Sequence, residues 1–205
     1  MKRKKMVLIS LVLLAGLFLF WNFRLSAGTE QQPYRVLKTS DEFEIRMYPP
    51  AMFASVTKSG HMMDVGSSGF RELAGYIFGG NESGEKIAMT APVVFTPSDS
   101  MAATTEMRFV MPEGYAASTL PAPRSSGVRL WESDTVYMAV RRFGGFASNR
   151  DIEREADALR SHLRDSGISF EDHVVFMAYN PPYQLAGRRN EVAFVIPEPA
   201  MQRGQ

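Results

Sequence analysis

Three histidines, His61, His162 and His173, are scattered along the chain, and there is no cysteine, so the side chains that could do covalent chemistry are few. Thiolate nucleophiles, disulfide frameworks, zinc–cysteine sites and iron–sulfur clusters are excluded. No G-x-S-x-G elbow, phosphate loop, H-E-x-x-H helix or dinucleotide fingerprint occurs, and scattered histidines give a catalytic triad little support. Glu106 and Glu191 would make a carboxylate pair, but they begin matching sequence segments, which argues for equivalent strand starts instead. The remaining candidates bind rather than react, so the chain is expected to be a ligand-binding protein and not an enzyme. Met62 and Met63, directly after His61, offer adaptable, polarizable contact area for a ring system, or filling for an irregular core. Arg188 and Arg189 stand just before a strand-like run, where they would either hold an anion through paired N–H donors or pair with a carboxylate such as Glu191.

The elements that must position these residues come in two copies. Glu106-Met107-Arg108-Phe109-Val110-Met111-Pro112 returns as Glu191-Val192-Ala193-Phe194-Val195-Ile196-Pro197. Ile45 to Tyr48 echoes Val128 to Trp131, and Phe53 to Gly60 lines up with Tyr137 to Gly144. Between these landmarks Phe70, Leu73 and Ile77 match Ala156, Leu159 and Leu163 at helical spacing. Each half therefore predicts strand, strand, helix, strand, strand, over about 42–112 and 127–197. Two copies that each leave one sheet face apolar bury those faces in a shared core, with a cleft near the seam. Phe70 to Phe78 predicts a short helix closed by Gly79-Gly80. Ser148, with Asp151 three residues on and Gly167 beyond, predicts the capped ends of a longer one. Pro92 breaks a strand over 87–96, and Gly144-Gly145 suggests unusual backbone dihedrals.

Composition limits the remaining possibilities. Five of the twenty-three Lys and Arg lie in the first twenty-four residues, leaving eighteen against twenty-two Asp and Glu, a formal charge of −4 over 25–205. That balance disfavours a nucleic-acid reader. Lys2 to Lys5 precede an apolar run from Met6 to Phe23, about 27 Å long as a helix. Segment 1–27 is therefore expected to be a membrane anchor or signal-anchor with the domain exported to the periplasmic or extracytoplasmic face. The alternative is a cleaved signal with exit near Leu25-Ser26-Ala27 and a secreted domain. Residues 28–32 follow as a linker, 33–197 as the folded domain and 198–205 as a tail.

Four stretches in order, Tyr48-Pro49-Pro50-Ala51, Lys86 to Val93, Arg142 to Ala147 and Gly187 to Val192, resemble the signatures of the SOUL haem-binding family over about 33–197. The resemblance implies an α+β fold: a pseudo-twofold distorted β-barrel of two antiparallel sheets with two flanking helices, similar to the effector-binding domains of bacterial regulators. It implies haem or a related tetrapyrrole bound in an apolar groove, for carriage, buffering or sensing. The alternative is a small-molecule or lipid-sensing module at the membrane that binds haem incidentally. The family's groove maps onto the first helix and the loop before the last strand. Here these supply Phe70, Arg71, Leu73, Ala74 and Ile77, then Tyr179, Arg188 and Arg189, with the arginines meeting propionates. Phe70, Ala74, Gly75 and Gln184 stand where some members carry longer or cationic side chains, which leaves a groove of smaller residues open to a flat macrocycle. Haem iron takes His, Met or Tyr, and His61, beside Met62 and Met63 and ahead of the first helix, is the candidate axial ligand.

Overall fold

The computed structural model describes residues 28–99 and 104–199. Among them nine strands form one antiparallel sheet: β1 (Arg35–Thr39), β2 (Glu44–Tyr48), β3 (Met52–Ser59), β4 (Val93–Asp99), β5 (Thr104–Val110), β6 (Arg129–Glu132), β7 (Val136–Phe143), β8 (Val175–Ala178) and β9 (Asn190–Ile196). Helix α1 (Gly66–Ile77) lies between β3 and β4, and α2 (Asn149–Asp165) between β7 and β8. The spatial order is β1-β2-β7-β9-β8-β4-β5-β3-β6. Set β1 aside and the order is a palindrome of the two repeats, with their first strands exchanged: β2 pairs with β7, and β6 with β3. The two expected sheets are thus one curled sheet, joined where β4 meets β8 and Phe95 faces Phe176.

Strand pairing fixes the equivalence of the halves more closely than sequence could. Ile45 faces Ala139 on one side, and Leu130 faces Ala54 on the other. Leu130, not Val128, is therefore the counterpart of Ile45, and Ala139 is the counterpart of Ala54. The aligned offset was two residues short in the first strand and one short in the second. A shift of two keeps a side chain on its face, whereas a shift of one moves it to the other.

One sheet face and the two helices enclose the main core. In α2, Ile152, Ala156, Leu159 and Leu163 recur along one stripe and are buried, as an amphipathic helix requires. Ser148 accepts from the Asp151 N–H while the Asp151 carboxylate accepts from the Ser148 N–H, closing the expected capping box. Helix α1 starts four residues before Phe70 because Gly66-Ser67-Ser68-Gly69, poor helix formers, make its first turn. Gly69 packs close to β5: a Cβ there would come within 3.2 Å of the Met107 side chain beneath it. The opposite sheet face carries a second cluster, Tyr48, Val94, Val140, Val175, Met177 and Ala193.

The expectation of a membrane-anchored domain is corrected. Among the described residues no helix is long and apolar enough to cross a membrane, since α1 and α2 are amphipathic and run only 12 and 17 residues. Segment 1–27, on which the anchor and signal expectations rested, lies outside the described residues.

Candidate functional site

The loop between β8 and β9 is folded on its own arginine. Arg188 donates from Nη1 to the carbonyls of Pro181 (2.7 Å) and Gln184 (2.9 Å), while Asn180 Oδ1 accepts from the Arg189 N–H at 2.6 Å. Its guanidinium also lies 4.6 Å from the ring centre of Phe146, and Asn190 Nδ2 donates to the Gly145 carbonyl at 2.8 Å. Gly145 has φ +83°, a turn conformation that glycine adopts without steric cost. The 144–147 turn and the 179–189 loop are consequently one unit. It presents three large apolar side chains to solvent: Phe146, Tyr183 and Leu185 are 59, 62 and 61 % exposed. Exposed apolar side chains mark an interaction surface where they form a contiguous patch.

Helix α1 divides the residues expected along the groove. Leu73 and Ile77 are 0 and 1 % exposed and belong to the core. Ala74 is buried, and Phe70 is half-buried against Phe109 in an edge-on contact. Arg71 and Gly75 are exposed, as is Phe78 just past the helix end. The chain returns from that end, where the Ile87 N–H donates to the Ile77 carbonyl, to Ala91, which bridges to Gln31. Gln31 in turn accepts from Arg189. A short segment therefore connects the helix end to the loop unit.

Arg189 has turned to another task. Glu191, with its side chain wholly buried, accepts from Arg46 (Nη1 2.8 Å, Nη2 3.2 Å), from Arg189 Nε at 2.9 Å and from the Tyr179 hydroxyl at 2.9 Å. Arg46 also bonds Glu44 at 2.7 Å and lies 4.2 Å from the ring centre of Tyr34. Two guanidiniums thus face two carboxylates. Burial opposes the charge on Arg46, but Glu191 and Tyr48 outweigh it and its pKa is raised. Burial, then the Glu191 charge, drives the Tyr179 phenol well above its ordinary range. Sequence reasoning anticipated the Arg189–Glu191 pairing as one alternative but missed Arg46. That arginine sits in an alternating strand, and its partner lies 145 positions away.

His61 occupies different ground. It lines a cavity of about 580 Å³ with Met62, Ile152, Arg160, Asp172 and His173 among others, none from the 179–189 loop. Met62 is buried in the core there, while Met63 is exposed and its N–H donates to Asn149. Two histidines that the sequence kept far apart thus line one cavity. Arg160 in that cavity is already held by Asp157 and Asp172.

A family model for the SOUL heme-binding protein matches residues 29–195. Among curated proteins, "Heme-binding protein 2" of Mus musculus is 33 % identical over 156 residues, covering 73 % of this chain and 76 % of that one. "Heme-binding protein 1" of Xenopus laevis is 30 % identical over 158 residues, covering 75 % and 83 %. Among solved structures, the EcmrR C-terminal domain aligns with a TM-score of 0.55 at 10 % identity, covering 81 % of this chain and 99 % of that one. A hydrolase from Listeria innocua aligns with the same TM-score and identity, covering 78 % and 94 %. At such identities the structural likeness speaks to fold alone.

Proposed function

The chain belongs to the SOUL heme-binding protein family, and from that premise we propose that it binds haem or a related tetrapyrrole on the apolar surface of the 144–147 and 179–189 loops. The observation that carries this reading is the exposure of Phe146, Tyr183 and Leu185 on one hydrogen-bonded unit. A planar, greasy ring would bury those side chains, each contributing up to a few kcal/mol. Arg71 and Phe78, exposed on and just beyond α1, are the helix residues assigned to the same ligand, with Arg71 the cation for a propionate. Arg188 acts differently, holding the loop in shape through its carbonyls, and Arg189 belongs to the Glu191 cluster. A surface this open favours exchange, which suits carriage or buffering of the ligand rather than its turnover.

Hemin titrated into the protein should produce a saturable Soret shift. A featureless titration overturns the reading. Replacing Tyr183 and Leu185 together by serine should weaken hemin binding about tenfold or more. His61→Ala should leave the spectrum of the complex unchanged, because His61 lines another cavity. A lost or displaced Soret band in that variant would instead place the ligand beside His61 and His173.

A further inference from the structure

Glu106 is the counterpart of the sealed Glu191: Thr57 and Thr96 flank it in the sheet as Arg142 and Met177 flank Glu191. Its surroundings differ. Among the described residues no phenol or loop arginine closes over it, and a cavity of about 620 Å³ lined by Ser55, Thr57, Pro97, Gly127 and Arg129 opens beside its carboxylate. The charges do not balance. Arg129 reaches Glu106 at 2.9 Å and is 70 % exposed. Arg108, on the same sheet face, largely buried and behind the cavity lining rather than part of it, donates from Nη2 to Thr96 but keeps its Nε 3.8 Å from Glu106, beyond hydrogen-bond range and without a partner among the described residues. Two guanidiniums share one carboxylate here, whereas the twin site sets Arg46 and Arg189 against Glu191 and Glu44. The position equivalent to Glu44 is Arg129 itself. Nearby Glu72 offers no compensation, since Lys58 and Ser125 already hold it.

We propose that the cavity beside Glu106 binds a small organic carboxylate, whose charge completes against Arg129 and Arg108 the two-to-two arrangement that Glu44 and Glu191 make within the chain. The hydroxyls of Ser55 and Thr57 give the anion polar neighbours. Trp131, stacked on Phe53 at 5.0 Å and donating its indole N–H to Ser55 at 3.1 Å, stands beside the site as an internal reporter.

The test follows the Trp131 indole N–H by NMR while benzoate, acetate or inorganic phosphate is added at constant ionic strength. Benzoate and acetate should shift the resonance saturably. Arg129→Gln should weaken that binding at least tenfold. Thr57→Glu, at an exposed position on the cavity wall, supplies the missing carboxylate from the chain and should abolish binding while the protein stays folded. Saturation by phosphate but not by either carboxylate would overturn the assigned ligand class. No saturable shift, or equal affinity in Thr57→Glu, would overturn the site. Hemin binding is read separately by its Soret band, so the two proposals fail independently.

Discussion

The two ends of the sheet face turned away from the helices descend from one pattern and now behave differently. Around Glu191 the neighbouring positions on this face are Val140, Ala193 and Met177, while around Glu106 their counterparts are Ser55, Arg108 and Thr96. The first set packs as an apolar cluster, capped by Tyr34 and Tyr179, and the carboxylate within it is dry. The second set is polar, and a cavity opens beside its Ser55. Duplication gives two equivalent backbones, and a few side-chain exchanges decide which is a structural strut and which can receive a guest. The lesson is that equivalence in sequence, as between Glu106 and Glu191, does not carry equivalence of environment.

The largest expected difference between these regions is in stability. Glu191→Gln leaves Arg46 and Arg189 short of a buried partner and should cost about 3–5 kcal/mol in urea unfolding, as removal of one member of a buried ion pair does. Glu106→Gln, whose main partner is 70 % exposed, should cost about 1 kcal/mol or less. Equal losses would erase the distinction between sealed and open sites.

A smaller contrast appears at high pH. Burial raises the Tyr48 phenol to about 12, with Arg46 pulling the other way, and raises Tyr179 further. Folded pKa values above the unfolded value of about 10 mean that their contribution is full below pH 10 and is lost as pH rises through the folded values. Thermal unfolding midpoints should therefore fall above pH 10, and Tyr48→Phe should flatten part of that slope. A slope unchanged in Tyr48→Phe would remove Tyr48 from the account.

The smallest effect lies outside both clusters, in the cap of α2. Hydrogen bonds from the Ser148 side chain and backbone, with help from Arg154, lower Asp151 to about 2. A depressed folded pKa gives stability that is present above the unfolded value near 4 and is lost as pH falls from about 4 to about 2. Asp151→Asn should reduce the melting temperature slightly at pH 7 and remove its share of the acid slope. If the mutant and parent keep the same separation down to pH 2, the cap does not titrate as described.

Much of the fold was legible in the sequence because its signals are local and periodic. The α2 stripe and the Ser148–Asp151 box depend on neighbours within one or two turns, and the repeat shows as the recurrence of short local segments. The four family stretches located the loop before β9. The start of α1 was not legible, since Gly66 to Gly69 carries no helical preference and is held by packing on β3 and β5. Within the site, residue type drew attention to Leu73, Ile77, Arg188 and Arg189, but the direction each side chain takes depends on elements far away in the chain. Helical spacing matched Leu73 and Ile77 to the stripe of Leu159 and Leu163, which the core takes, but nothing local told that Arg188 folds back on Pro181 and Gln184.

Hydrophobic periodicity and capping chemistry by themselves determined that this chain makes two strand–strand–helix–strand–strand units, because those signals act over a few residues. The exchange of β2 and β6 between the units, the burial of Arg46 with Glu191 and the opening beside Glu106 were decided only when the strands paired. Each depends on residues from both halves meeting in one sheet, where register sets which side chain faces which and burial sets what its charge is worth.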